Sequence, residues 1–173
     1  MKRIILSLIC ISVAACLFGQ QKYVVPVRTV EEKHQNLVFQ FWLAGFGGGI
    51  NFAKAHGATP YEYGAYLGKK FAPGWGDQGN FDNLVNGWLR NLEDSRVASD
   101  PPIVVNENQD GSVSITASER MFRQYFPEGN EIASFTDCLD CMRGIFTEIG
   151  GYLGANVNIE NRDGLMVFTY LKK

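Results

Sequence analysis

At residues 134–171 the sequence reads SFTDCLDCMRGIFTEIGGYLGANVNIENRDGLMVFTYL, and this stretch decides the fold. Its first half repeats apolar residues at steps of three and four, which predicts an amphipathic helix packed on a core. Ser134 is predicted to cap the helix, and Asp137 to complete an acidic variant of the capping box. Because glycine accepts the left-handed geometry of a helix C-cap, the helix is predicted to end at three glycines: Gly150, Gly151 and Gly154.

The second half of the stretch alternates apolar and polar residues on both sides of an Asp-Gly pair. Val157 and Ile159 alternate with polar residues before Asp163-Gly164, and the same alternation resumes at Met166. Asp-Gly between two alternating runs is a strong signal for a tight hairpin turn. The pattern therefore predicts a strand, a turn and a strand.

A second hairpin and several helices are predicted before this unit. Residues 103–117 alternate around the turn signal Asn108-Gln109-Asp110-Gly111. Helical patterns cover residues 29–56, a stretch that begins at the capping box Thr59-Pro60-Tyr61-Glu62, residues 81–92 and residues 119–126. This order predicts an α+β fold, in which two hairpins form an antiparallel sheet of about four strands packed against three or four helices.

The first residues have the pattern of an export signal. Met1-Lys2-Arg3 is basic, and residues 4–13 form an apolar run that is too short to span a bilayer. Val13-Ala14-Ala15-Cys16 resembles the bacterial lipobox, in which the cysteine is lipidated; the alternative is an ordinary signal peptide cut after Cys16 or near Gly19-Gln20. Residues 1–19 are thus predicted to be a signal peptide, residues 20–28 a tether and residues 29–173 a single domain.

Both interpretations of the N-terminus place the mature protein outside the cytoplasm, in the bacterial periplasm or at the outer membrane. The lipid anchor would make the membrane a partner through Cys16. Removal of Lys2 and Arg3 with the signal takes the formal charge from −2 to −4. A mildly acidic domain is a poor match for a phosphate backbone, so no nucleic-acid partner is expected.

Cys138 and Cys141 are the thiols left in the domain once the signal is removed. Their spacing permits a disulfide, and an oxidising compartment favours one. A thioredoxin-like redox site is disfavoured because no βαβ pattern surrounds the pair. We expect both in the first turn of the helix with sulfurs close enough to bridge, Cys138 being the more buried and Cys141 the more exposed.

The spacing of residues predicts no metal site, cofactor or catalytic residue. A zinc site needs four ligands, and no second pair of Cys or His residues stands at metal spacing. A cysteine nucleophile needs a histidine base, and only His34 and His56 are present. The simpler role for His56 is a cation near the end of the first helix. We therefore expect a protein that is not an enzyme, although catalysis by a cysteine with His56 stays open.

Aromatic side chains are numerous and clustered, which favours an apolar pocket for a small ligand. The residues predicted to line it are Phe39, Trp42, Phe46, Tyr63, Tyr66 and Trp88. The alternative is that these rings fill the core. The first helix is apolar on all sides, so the face turned away from the sheet needs a partner: the second and third helices, a ligand or a second subunit of a homodimer. Its glycines predict a break in the helix, a bend, tight helix packing, or close approach of another backbone or a ligand: Gly45, Gly47, Gly48 and Gly49.

The C-terminal unit resembles the 4-vinyl reductase domain family of the heme-NO-binding-like superfamily. The residues that carry the resemblance are Cys138 to Gly144, Leu153-Gly154, Val157-Asn158-Ile159 and Leu165 to Tyr170. The resemblance covers about a third of the chain and implies a small hydrophobic ligand, often a dimer and, in some members, a cysteine-bound zinc. Here only two cysteines remain, so neither a zinc site nor a heme ligand carries over.

The helix followed by a hairpin is also similar to aminothiazoline carboxylate hydrolase-like proteins, and this similarity supplies the enzymatic alternative. The sequence as a whole predicts an exported, lipid-anchored domain that binds a small hydrophobic or aromatic ligand. The alternatives are a hydrolase that uses Cys138 or Cys141, and a structural or partner-binding lipoprotein with an exposed apolar patch.

Overall fold

The computed structural model describes residues 26–95, 102–126, 129 and 131–173. The chain divides into two compact units, Met1–Lys33 and His34–Lys173. In the described part of the first unit, Thr29 and Glu32 form a capping box: the Thr29 amide donates to the Glu32 carboxylate at 2.7 Å, and the Glu32 amide donates to Thr29 Oγ1 at 3.1 Å. The predicted signal peptide and Cys16 lie outside the described residues.

Helices make up most of the described chain, and two of them lie between strands of the sheet along the chain. In chain order they are α1 (Val30–Phe39), a π-helical segment (Gln40–Gly47), α2 (Gly48–Ala55), α3 (Pro60–Phe71), a 3-10 turn (Ala72–Trp75), α4 (Phe81–Asp94), α5 (Arg120–Arg123) and α6 (Phe135–Tyr152). The predicted capping box at the start of α3 is confirmed, because the Thr59 amide donates to Glu62 at 2.8 Å and the Glu62 amide donates to Thr59 Oγ1 at 3.2 Å. The short helix expected over residues 119–126 is reduced to the single turn α5.

The glycines of the first helix do not break it. The backbone stays helical from α1 through the π-helical segment into α2, with φ of −62° at Gly47 and −60° at Gly48. Instead of breaking, the chain widens into π-helical turns. Close approach does occur at Gly49, where a β-carbon would lie 2.2 Å from Tyr63 Oη. The side chain that approaches is therefore from the next helix of the same chain.

The four strands form one antiparallel sheet, which confirms the α+β prediction. The strands are β1 (Val104–Glu107), β2 (Val113–Ser118), β3 (Ala155–Arg162) and β4 (Leu165–Lys172), in the spatial order β1-β2-β4-β3. The register places Phe168 opposite Ile115 on one side and Ile159 on the other. Both predicted hairpins are present, and they meet along β2 and β4.

The β3–β4 hairpin turns at Asp163 and Gly164, as the sequence predicts. Both residues have positive φ, 52° for Asp163 and 76° for Gly164. Positive φ at both central positions is the geometry of a type I′ turn, whose twist matches that of antiparallel strands. The Asp-Gly pair thus fixes the register of the hairpin.

One face of the sheet is covered by the helices. Along β4, Met166, Phe168 and Tyr170 are fully buried, and their neighbours Val167 and Thr169 are half-buried. The buried rings meet aromatic rings of the helices: the centroid of Phe168 lies 5.0 Å from that of Trp88 and 6.2 Å from that of Phe146. Alternation of side chains across the pleat puts this whole row on the core side.

Helix α6 begins as predicted but ends differently. Its capping box is confirmed, with Ser134 N to Asp137 Oδ2 and Asp137 N to Ser134 Oγ both at 3.1 Å. The prediction that Gly150 and Gly151 end the helix is wrong, since α6 continues to Tyr152. Gly154 alone of the three has positive φ, at 81°. Gly150 is small for packing, because a β-carbon there would fall 2.4 Å from Val157 Cγ2.

Helices α3 and α6 pack backbone to backbone through glycines. A β-carbon on Gly64 would lie 1.9 Å from the carbonyl oxygen of Cys141, and one on Gly68 would lie 2.5 Å from that of Ile145. From the opposite side, a β-carbon on Gly144 would lie 2.1 Å from the carbonyl oxygen of Tyr61. Three glycines therefore allow the two helices to touch along their main chains and fix where α3 lies on α6.

Candidate functional site

An apolar cavity of about 280 Å³ lies between five elements of the unit His34–Lys173. The π-helical segment contributes Phe41, Trp42 and Phe46; the end of α3 and the 3-10 turn contribute Phe71 and Trp75; α4 contributes Trp88, Asn91, Asp94 and Ser95; α6 contributes Met142, Ile145, Phe146 and Ile149. The volume lies near the lower end of the range of small-molecule sites. The walls are apolar and mostly aromatic, and the few polar groups are grouped on α4.

The π-helical segment brings its aromatic residues to one wall. In a π-helix the amide of residue i+5 bonds to the carbonyl of residue i, and the Gly48 amide accordingly donates to the Leu43 carbonyl. Phe41 and Phe46, five residues apart in this segment, both line the cavity. π-Helical turns are rare and occur frequently at functional sites. An eight-residue segment of this kind is the least ordinary backbone feature that the structure describes.

Ring-to-ring packing holds the walls in place. Trp42 meets Phe46 edge to face at 5.2 Å and stacks on Tyr125 at 6.1 Å with an interplanar angle of 11°. On the opposite side, Phe146 meets Trp88 at 4.5 Å and Trp75 at 5.8 Å, both edge to face. Offset and edge-to-face pairs of this kind are worth about 0.5–1.5 kcal/mol each beyond the area that they bury. The cavity is therefore lined by rings that already support one another.

The mouth of the cavity combines exposed rings with a polar edge. Phe41 and Phe71 are 62% and 50% exposed, although both line the cavity. Asn91, Asp94 and Ser95 lie at the C-terminal end of α4, where the Ser95 amide and hydroxyl both donate to the Asn91 carbonyl, at 3.1 and 2.7 Å. A ligand with an apolar body and one polar end would match this distribution.

A second, polar depression of about 260 Å³ adjoins the first and shares Trp75, Asn91 and Asp94 with it. Its remaining lining residues are Gly74, Gly87 and Arg90. Gly87 allows the indole of Trp75 to lie on α4, because a β-carbon at Gly87 would be 2.8 Å from Trp75 Cε3. Trp75 thus forms a partition between the apolar cavity and the polar depression.

Two buried polar atoms have no hydrogen-bond partner among the described residues, the indole nitrogen of Trp88 and the hydroxyl of Tyr170. Leaving a buried donor unpaired costs about 1–3 kcal/mol. Trp88 lines the cavity, and Tyr170 lies on the core side of β4. Burial also raises the pKa of Tyr170 well above its ordinary value.

Three of the six residues predicted as ligand-binding line the cavity: Trp42, Phe46 and Trp88. The other three lie elsewhere. Phe39 packs on Tyr125 with ring centroids 6.3 Å apart, Tyr63 lies over Gly49, and Tyr66 is 59% exposed beneath the Lys70 ammonium.

The sequence did not identify Phe41, Phe71 or the α6 residues as ligand-binding, whereas Trp75 stood among the clustered aromatic residues that could line a pocket. Phe41 directly precedes Trp42, and Phe71 precedes the loop Pro73-Gly74. An aromatic residue beside a helix stop was the available signal for Phe71.

The cysteine pair lies on α6, and neither thiol lines the cavity. Both are free thiols and both are fully buried, so the prediction that Cys141 is the more exposed is wrong. The reason is Gly64, whose missing side chain lets α3 cover the flank of α6 at Cys141. Burial, helped by Cys141 and Asp137, raises the pKa of Cys138 well above its ordinary value, and burial raises the pKa of Cys141 to about 12. A disulfide between them stays a prediction.

The contacts of both histidine side chains are with residues other than Cys138 and Cys141. His56 is exposed; its Nδ1 lies 2.8 Å from the Phe52 carbonyl and its ring lies on Phe52 with centroids 4.0 Å apart. His34 Nε2 lies 2.9 Å from the Asp94 carbonyl. Within the described residues, no three His, Cys, Asp or Glu side chains form a group that could hold a metal ion.

The fold and the site together define a class: an α+β domain with an aromatic-lined cavity beneath a π-helical segment. Comparison of the chain with protein-family models, with curated proteins and with solved structures finds no significant match. The resemblance to the 4-vinyl reductase domain family therefore stays a prediction. Within the residues that the structure describes, no helix is both long enough and apolar enough to cross a membrane.

Proposed function

We propose that this chain is an exported, lipid-anchored domain that binds a small hydrophobic or aromatic ligand in the cavity between the π-helical segment, α3, α4 and α6. The observation that carries the proposal is the cavity itself, about 280 Å³ with walls of Trp42, Phe46, Trp88 and further aromatic rings. A solvent-accessible apolar hollow leaves hydrophobic surface in contact with water, and a ligand that covers it gains about 25 cal/mol for each Å² removed from water.

The chemistry of the thiols argues for binding rather than for hydrolysis by a cysteine. A cysteine nucleophile acts as the thiolate, which requires a lowered pKa or an adjacent base. Here burial raises the pKa of both Cys138 and Cys141, and His56 is exposed with its Nδ1 directed to the Phe52 carbonyl. The cavity is also lined by neither cysteine. The raised pKa of both thiols, the position of His56 and the location of both cysteines outside the cavity lining support a binding role over the hydrolase alternative.

A partner-binding lipoprotein is the second candidate, and exposed rings favour it. Phe41, Phe52 and Phe71 are each at least half exposed. Phe41 and Phe71 are accounted for by the cavity mouth. Phe52 packs on His56 and lines neither depression, so this ring is available to a partner-binding surface.

Binding is tested with the full chain and N-phenyl-1-naphthylamine, an apolar amine whose fluorescence rises in a dry site. We expect saturable binding at one site. The variant Asn91→Trp puts an indole at the mouth and is expected to weaken binding about tenfold or more, whereas Asn86→Trp, on an exposed part of α4 outside both depressions, is expected to leave binding unchanged. Equal affinity of the two variants would contradict the cavity as the binding site.

The anchor is tested separately by metabolic labelling with a radioactive fatty acid in a bacterial host. The lipobox resemblance at residues 13–16 predicts label on the wild-type chain and none on Cys16→Ser. Label that survives the substitution, or no label at all, would remove the anchor from the proposal and leave the ligand-binding part untouched. Native mass spectrometry of protein from its own host would then reveal a retained ligand.

A further inference from the structure

We infer that the ligand is an organic cation, an amine or quaternary ammonium group carried on an apolar body, held by the aromatic walls and by Asp94. This inference rests on the proposed function and names the class of its ligand. Three features of the same cavity support it: the π faces of its walls, the negative charge of the lining residue Asp94 and the direction of helix α4.

The walls suit a cation. Seven of the thirteen lining residues are Phe or Trp, with Trp42, Trp75 and Trp88 on different sides. The face of an aromatic ring carries negative partial charge and attracts a cation within about 6 Å, Trp most strongly. An aliphatic pocket of the same volume would hold a neutral ligand equally well, so the excess of rings is the distinguishing feature.

The carboxylate of Asp94 gives the mouth of the cavity a negative charge, which attracts a cationic ligand. Among the described residues that line the cavity, Asp94 is the only ionisable one, and no ion pair of its carboxylate is recorded. The basic side chain of Arg90 does not line the apolar cavity, although Arg90 and Asp94 both line the adjoining polar depression. His34 meets the backbone carbonyl of Asp94 rather than its carboxylate. A cationic head at the mouth would therefore find a carboxylate without a recorded ion pair.

The direction of α4 adds to this effect. Asp94 is the last residue of α4, so the mouth lies at the end of the helix where the carbonyl groups point outward. A helix C-terminus carries roughly half a negative charge and favours cations there. Among the described residues that line the cavity, none is Lys, Arg or His. In this described part of the wall, an anionic ligand would thus meet a carboxylate and the negative end of a helix dipole without a basic side chain.

The test compares two probes of the same shape. Benzyltrimethylammonium and neopentylbenzene differ by a quaternary nitrogen in place of a quaternary carbon, so a difference in affinity reports the charge. Each is measured by displacement of N-phenyl-1-naphthylamine from the full chain at low ionic strength. We expect the cation to bind at least about threefold more tightly than the neutral probe.

Two variants locate the effect. Asp94→Asn is expected to weaken binding of the cation about two- to fivefold and to leave the neutral probe unchanged, while Asp82→Asn, an exposed residue in the first turn of the same helix, changes neither. Phe41→Leu keeps an apolar side chain at the exposed mouth and removes a π face, so it too should weaken the cation more than the neutral probe.

The outcomes separate this inference from the proposed function. Tighter binding of the cation that depends on Asp94 supports it. Equal or tighter binding of neopentylbenzene, or an equal loss of both probes in Asp94→Asn, overturns the cationic ligand and leaves an apolar binding site. Failure of N-phenyl-1-naphthylamine and both probes to bind overturns the proposed function itself, and the inference with it.

Discussion

Gly64 of α3 lies directly on the backbone of Cys141 in α6: a β-carbon on Gly64 would be 1.9 Å from the Cys141 carbonyl oxygen. Because the obstructing atom belongs to the backbone, no side-chain rotation can relieve the clash. Gly64→Ala must therefore push α3 away from α6. We expect it to lower the free energy of unfolding by about 2–3 kcal/mol, measured by urea denaturation.

Gly48→Ala is the matched control for that substitution. Gly48 is helical, and a β-carbon there would meet nothing within 4 Å. Alanine at such a site is expected to raise the free energy of unfolding by about 0.5–1 kcal/mol, since glycine loses more backbone freedom on folding. We expect opposite signs for the two variants; a gain of similar size in both would mean that helix propensity, rather than the contact with Cys141, decides the effect at Gly64.

Tyr170→Phe is expected to leave the protein at least as stable as the wild type. The Tyr170 hydroxyl is buried without a partner among the described residues, and removing an unpaired buried polar atom removes its desolvation cost. We expect the free energy of unfolding to rise by up to about 1 kcal/mol. Tyr66→Phe, at an exposed ring, should cause no change. A clear loss of stability in Tyr170→Phe would reveal a hydrogen bond that this structure does not record.

The features that sequence predicted well are those decided within a few residues. Ser134 and Asp137 cap α6 because each side chain reaches a backbone amide three residues away. Asp163-Gly164 turns the hairpin because both residues tolerate positive φ. The alternation on either side of that turn was then enough to predict the strands and, with the helical periods, the α+β class.

The features that sequence missed depend on the partner element. Nothing in the local pattern around Cys141 indicates that Gly64, far away in the chain, removes the side chain that would have kept α3 at a distance. The cavity is likewise assembled from five elements, so the clustering of aromatic residues in the sequence identified Trp42 and Trp88 as lining residues but not Phe71. The π-helical segment has no periodicity signal of its own, since its wider turn becomes visible only once the hydrogen bonds are known.

Asp137 is predicted to make stability depend on pH in the acidic range. Burial raises the pKa of this carboxyl, but the hydrogen bonds from Lys54 and Ser134 outweigh burial and lower the pKa below its ordinary value of 3.8. The ionised form therefore stabilises the fold above about pH 4, and this contribution is lost as the pH falls further. Asp137→Asn is expected to cost about 0.5–1 kcal/mol at pH 7 and nothing once the wild-type carboxyl is protonated.

Asp140→Asn provides the comparison on the same helix. Its partner Arg143 lies at 2.8 Å, but both side chains are about 40% exposed, so water screens the pair. We expect a loss of stability at pH 7 that is smaller than that of Asp137→Asn. Urea denaturation of the wild type and both variants at pH 7 and at acidic pH checks this. Parallel losses at every pH would show that the Asp137 charge is not what stabilises the helix start.

The buried thiols predict a loss of stability in the alkaline range. Burial raises the pKa of Cys141 from an ordinary value of 9.0 to about 12, so the unfolded chain releases this proton at a lower pH than the folded one. The contribution of this group to the free energy of unfolding is thus complete below pH 9. It falls progressively as the pH rises from about 9 towards 12, at a limiting slope of about 1.4 kcal/mol per pH unit.

Lysine and tyrosine residues titrate over the same range, so the comparison must be made with a variant that lacks both thiols, Cys138→Ala with Cys141→Ala. We expect urea denaturation between pH 8 and pH 10.5 to give a shallower decline for this double variant, whatever stability it loses at pH 8. Because the thiols are fully buried, they should also resist a thiol reagent at pH 8 until the protein is unfolded. Rapid labelling of the folded protein, or equally steep declines with and without the thiols, would mean that α3 does not keep water from Cys141.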